Sequence, residues 1–152
     1  MINSERIFIA IDISKTISHL IPMLKTTMDS NESNFRWISG KNLHLTLSFL
    51  GNIDNLKIKS LISELDVISQ FPMFKISLNG TGVFPKSDCA KILWLGVDEG
   101  YDELSDIQAI IDEISYPFKA SKRQERFIPH VTIGRLEDSK KNMKIDVSTF
   151  LN

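Results

Sequence analysis

The chain has 152 residues, 42% of them hydrophobic and 24% charged, which suits one globular domain with a core of its own. Eighteen Lys and Arg against nineteen Asp and Glu leave a net charge of −1. That balance speaks against a protein gripping long nucleic acid through many phosphates, but it leaves room for a pocket holding one or two nucleotides. The lone Cys89 excludes an internal disulfide framework and a multi-cysteine zinc site. No run approaches the roughly 20 apolar residues of a membrane span, and the opening MINSERIFIAID does not read as a secretory signal, so a cytoplasmic protein is expected.

Arg6–Asp12 reads as a strand, followed by Ser14 as a helix cap. Residues 15–29 carry Ile17, Leu20, Ile21, Leu24 and Met28 at helical spacing, interrupted by Pro22. Leu43–Phe49 alternates as a strand ending at Gly51, with His44, Thr46 and Ser48 on one face. Asp54–Ser69 is an amphipathic helix capped by Asp54. Phe74–Leu78 and Ile92–Val97 read as strands, separated by a loop containing Gly80, Gly82 and Pro85. Tyr101–Ile114 is a helix with Leu104, Ile107, Ile110, Ile111 and Ile114 on its buried stripe. Ile128–Gly134 alternates again, with His130, Thr132 and Gly134 on one face.

A cryptic repeat runs through this pattern. His44 and His130 are 130 − 44 = 86 residues apart, and the same offset lays Phe8–Asp12 on Trp94–Asp98, Ile21 on Ile107 and Leu24 on Ile110. It then lays His44-Leu45-Thr46-Leu47 on His130-Val131-Thr132-Ile133 without a gap. The chain reads as two similar halves, each ending in an H-x-T strand.

Period 2 puts the His and Thr of each motif on one face, about 6.5–7 Å apart along the strand. Two imidazoles and two hydroxyls without a carboxylate suit displacement at phosphorus. One imidazole removes a proton from the nucleophile while the other donates one to the leaving oxygen, work that suits a side chain titrating near pH 6.5. The threonines would hydrogen-bond the non-bridging oxygens. Arg135, and Lys119, Lys122, Arg123 and Arg126 ahead of the second strand, supply local positive charge for a phosphate. Phe84 and Trp94 are candidate base-stacking surfaces, although the mid-strand place of Trp94 favours packing. One H-x-T strand is as well explained by a structural histidine. Two in matching register, among only three histidines, point to chemistry, and His19 is read as structural. With no H-x-x-x-H, H-E-x-x-H, GxGxxG or GxxxxGK[ST] pattern, neither a metal nor a nucleotide cofactor is expected.

In order, Arg6–Ala10, Trp37, Leu43–Gly51, Gly82–Pro85, Leu93–Gly96 and Pro129–Arg135 resemble the 2H phosphoesterases, most closely the branch of RNA 2′,3′-cyclic phosphodiesterases, historically 2′-5′ RNA ligases. The resemblance implies an α+β, bilobal fold: two antiparallel sheets flanked by helices, pseudo-two-fold symmetry and a central cleft. It implies one such domain over residues 1–152, with a last strand beside the cleft missing from this chain. It also implies RNA processing by metal-independent opening of 2′,3′-cyclic phosphate ends to 2′-phosphates, with reversible 2′-5′ ligation in some members. Carried over, His44 protonates the departing 3′ oxygen and His130 activates water, roles that must exchange in a reversible ligation. Thr46, Thr132 and Arg135 hold the phosphate, and Phe84 and Arg126 are candidate RNA contacts. The expected partner is an RNA bearing a 2′,3′-cyclic phosphate end, or a small nucleotide, bound by a monomer. A non-catalytic binder of phosphorylated RNA ends, or a phosphodiesterase for another small cyclic phosphate, are the alternatives.

Overall fold

The computed structural model describes residues 4–26, 34–122, 126–140 and 144–151. Six strands, β1 (Ser4–Asp12), β2 (Phe35–Trp37), β3 (His44–Asp54), β4 (Leu78–Phe84), β5 (Ile92–Val97) and β6 (His130–Leu136), form one sheet. Its order is β1-β3-β6-β5-β4, with β2 also beside β6, and the registered pairs are antiparallel. The helical segments are α1 (Ser14–Ile17), α2 (Ile21–Thr26), α3 (Asn55–Leu65), α4 (Tyr101–Ser115) and α5 (Ser148–Leu151).

Two sheets were expected; the described strands make one. The reason is β3, whose 11 residues neighbour β1 on one side and β6 on the other, so the ladder continues without a break. Its pairing with β6 is centred on Leu45 opposite Val131. Since 131 − 45 = 86, the opposed residues are themselves repeat mates. An antiparallel pair has a local two-fold between opposed residues, so this register makes the two H-x-T segments symmetry partners. They lie side by side as neighbouring strands.

Two compact units divide the chain: Met1–Ile11, Thr46–Ile76 and Glu99–Pro129 in unit 1, and Asp12–Leu45, Ser77–Asp98 and His130–Asn152 in unit 2. In unit 1, Leu50, Ile53 and Leu61 form a buried cluster packed by Ile7, Ile9, Ile58, Leu65 and Phe118. Each such aliphatic burial is worth roughly 1.5–3 kcal/mol before entropy is counted. The α3 cap is as expected, Asp54 accepting from the Leu56 amide at 2.9 Å. Helix α4 buries Leu104, Ile107, Ile111 and Ser115, while Ile110 stands 37% exposed.

Ser48 departs from the expected face. It is buried and donates to Asp112 Oδ1 on α4 at 2.9 Å, while the next residue, Phe49, is 62% exposed and pairs with the Phe8 ring at 6.1 Å. Lys119 donates to the same Asp112 oxygen at 2.5 Å, and Lys122 donates to the Tyr116 carbonyl while lying over that residue's ring. These two lysines of the expected basic loop are therefore held by internal partners; Arg123 falls outside the described residues. Asp112→Ala is expected to cost about 2–3 kcal/mol, because it strands an ammonium whose side chain is only 10% exposed. A fully buried pair would cost about 3–5 kcal/mol to break, and Asp112 is partly wet. A lower urea midpoint at unchanged slope is the expected readout, with Ser48→Ala losing less than Asp112→Ala.

In unit 2, Leu43, Leu45, Leu93, Val131 and Ile133 are at most 1% exposed and form the inner face of the sheet. The expected first helix is broken into α1, a 3-10 turn and α2, with Pro22 in the first turn of α2, where its missing N–H costs nothing. The expected helical residues 27–29 lie outside the described residues. The expected strand at Phe74–Leu78 lies later in the chain: β4 occupies Leu78–Phe84, where glycines had suggested a loop. Gly80 has φ +75 at a register shift of the ladder, and Gly82 makes room for a tryptophan ring.

Candidate active site

The site face is set by register. With Leu45 opposite Val131 and both buried, alternation turns His44 and Thr132 to the other face as cross-strand neighbours. His130, two residues before Thr132, shares that face, and β5 brings Gly96 opposite His130 and Trp94 opposite Thr132. His44 and His130 are thus diagonal neighbours, with Cβ atoms somewhat less than about 7–8 Å apart. That spacing leaves room for one phosphate between the imidazoles.

Each imidazole is held differently. The His44 Nδ1 lies 2.7 Å from the Asn42 carbonyl oxygen. A carbonyl can only accept, so Nδ1 carries the proton, and Nε2 is the atom that gains or loses one as the ring changes charge. His130 is held by rings: Phe84 meets it edge-on at 5.0 Å and Trp94 lies tilted at 5.9 Å, the two aromatics being 5.2 Å apart. Phe84 therefore packs directly on a candidate catalytic ring. Trp94, read from sequence as a packing residue, packs against both Phe84 and His130.

Arg135 reaches this face through a bulge. Gly134 opposes Leu93 and Thr132 opposes Trp94, so Ile133 is the extra residue on β6. Strict alternation from His130 would put Gly134 on the site face and Arg135 on the core face. The bulge reverses this: Gly134 faces the core beside Leu93, and Arg135 opposes Ile92 on the face of Trp94 and Thr132. Thr46 follows Leu45 on β3 and is half-buried; it and the exposed Arg126 belong to unit 1.

One residue of this face was missed by sequence reasoning. On β2, Arg36 is the direct partner of Arg135, while its neighbour Phe35 is 3% exposed in the core. The only available signal was a cation beside Trp37.

Nearby, the exposed Asp12 carboxylate is held below the usual range by the Ser14 side chain, then by the Ser14 amide, which donates at 2.9 Å. A lowered folded-state value means that this contribution to stability is full above pH ~4 and fades as pH falls through the folded value. Asp12→Asn is expected to flatten that acid limb of a thermal-melt series. Among the described residues no three of His, Cys, Asp and Glu are grouped to hold a metal ion, and no helix is long and apolar enough to cross a membrane.

A family model described as the 2′-5′ RNA ligase superfamily matches residues 18–146. An RNA 2′,3′-cyclic phosphodiesterase of Methanocaldococcus jannaschii is 33% identical over 141 residues, covering 91% of this chain and 77% of that protein. One from Thermotoga maritima is 32% identical over 134 residues, covering 87% and 70%. Among solved structures, Escherichia coli LigT complexed with 3′-AMP gives a TM-score of 0.74 at 26% identity, covering 88% of this chain and 74% of that one. The same protein complexed with phosphate gives 0.68 at 27% identity, covering 87% and 71%.

Proposed function

Since the chain belongs to the 2′-5′ RNA ligase superfamily, we propose that it opens 2′,3′-cyclic phosphates at RNA ends, with His44 and His130 as its acid and base. The observation that carries this reading is the Leu45–Val131 register, which turns both imidazoles to one sheet face. His130 takes a proton from water, whose oxygen bonds to phosphorus. The bond from phosphorus to O3′ breaks, and His44 delivers its Nε2 proton to that oxygen, leaving a 2′-phosphate. Thr132 and Arg135 hold the non-bridging oxygens as charge shifts onto them. A 5′-hydroxyl in place of water would yield a 2′-5′ linkage by the same step. The relatives named RNA 2′,3′-cyclic phosphodiesterase, and the 3′-AMP complex of E. coli LigT, support a nucleotide ligand.

Every step uses protein side chains alone, so turnover of a 2′,3′-cyclic nucleotide is expected to be the same with and without EDTA, with the 2′-phosphate as product. Binding of a 2′-phosphonucleotide without turnover of the cyclic compound would favour the non-catalytic reading. Turnover confined to other small cyclic phosphates would move the substrate class.

A further inference from the structure

Arg36 and Arg135 are directly opposed across β2 and β6, on the same face as Thr132, Trp94 and the two histidines. Directly opposed Cβ atoms are about 4.5–5.5 Å apart, and like charges in that arrangement repel. Both residues are exposed, and neither has an ion pair or side-chain hydrogen bond among the described residues. The sheet therefore holds two arginines side by side without an ion-pair partner among the described residues. Such a pair calls for an anion, and guanidinium geometry suits phosphate oxygens.

Position separates the pair from the imidazoles. Arg36 stands opposite Arg135, three residues along β6 from Thr132, whereas His44 stands opposite Thr132 itself. Because Ile133 is a bulge, Thr132 and Arg135 face Trp94 and Ile92, two residues apart on β5, or about 6.5–7 Å. Arg135 can turn toward the reacting phosphorus, but Arg36 is on a different strand at the far end of this face. We propose that Arg36 binds a second phosphate of the substrate, the one on the 5′ side of the terminal nucleotide, and so favours RNA fragments over lone cyclic nucleotides. This rests on the phosphodiesterase reading above.

The test compares 2′,3′-cyclic AMP with a dinucleotide carrying the same cyclic end, for wild type, Arg36→Gln and Arg36→Lys. Arg36→Gln is expected to raise the KM of the dinucleotide roughly 5- to 20-fold and to lower the salt slope of its binding by about 1, while cyclic AMP changes less than about twofold. Arg36→Lys keeps part of the affinity, because the charge survives without the bidentate fork. Arg36→Gln is also expected to melt no lower than wild type at low salt, since it relieves repulsion. Equal losses on both substrates, or none on either, overturn the proposal. If wild type turns over neither compound, the phosphodiesterase reading fails separately. The inference is then decided by calorimetry with 2′-AMP and adenosine 2′,5′-bisphosphate. There, an Arg36→Gln loss confined to the bisphosphate supports it, and any other pattern overturns it.

Discussion

His130→Ala and His44→Ala are each expected to lose roughly 10²–10⁴-fold in turnover of a 2′,3′-cyclic nucleotide, the range that one positioned acid or base contributes. The double variant is expected to fall little below either single one, because acid and base serve one transition state and their losses do not add. The two single variants should still differ in kind. His44 is oriented by a backbone carbonyl, so His44→Gln leaves a polar group near the same place and His44→Ala leaves none. His130 is a packing partner of Phe84 and Trp94, so His130→Ala also loosens an aromatic cluster and should lower Tm by a few degrees. Turnover by either alanine variant at the wild-type rate, in a protein that melts cooperatively, would remove the mechanism.

The second large effect is expected at Gly82, which is opposite Trp94 on the neighbouring strand. A Cβ there would sit 2.1 Å from Trp94 Cζ2, 2.3 Å from Cη2 and 2.5 Å from Cε2, inside any allowed contact. The indole lies flat over the glycine, and its Nε1 is buried without a hydrogen-bond partner among the described residues, so packing alone fixes the ring. Gly82→Val must drive the indole off this seat, at about 2–3 kcal/mol of overpacking. The ring it displaces touches His130 and Phe84, and a shift of about 1 Å in a catalytic group can cost up to ~10²-fold in rate. Lost turnover together with a lowered melting temperature is the expected result. Pairing Gly82→Ala with Trp94→Phe, which shortens the clashing ring system, should recover stability better than rate. A Gly82→Val variant with wild-type turnover would show that Trp94 does not position His130.

Much of this was legible because local signals agreed with tertiary ones. The H-x-T strands and the α4 stripe show a clear period and Asp54 a clear cap, whereas the direct pairing of β3 with β6, at Leu45 and Val131, was not legible in the 86-residue offset alone. Gly82 was misread because glycine signals a loop in isolation; its reason for being in a strand is an indole twelve residues later in the chain. Arg36 was missed because a three-residue strand is too short to show any period. Arg135 was picked for its place beside the motif, yet alternation alone would have aimed it into the core. The basic loop looked like a phosphate patch only because Asp112 and the Tyr116 carbonyl, which hold Lys119 and Lys122, are not neighbours one can read from composition.

The bulge at Ile133 also says something about how such a strand tolerates change. Upstream of it, even-numbered side chains lie on the face of the two histidines; downstream, odd-numbered ones do, and one surplus residue marks the handover. Deleting Ile133 would remove the surplus residue and leave Thr132, Gly134 and Arg135 in plain alternation, the glycine still inward and the guanidinium still outward. One residue inserted there would instead turn the guanidinium inward, where an unpaired cation cannot be accommodated, although a tally of identical residues would score such a chain as nearly unchanged.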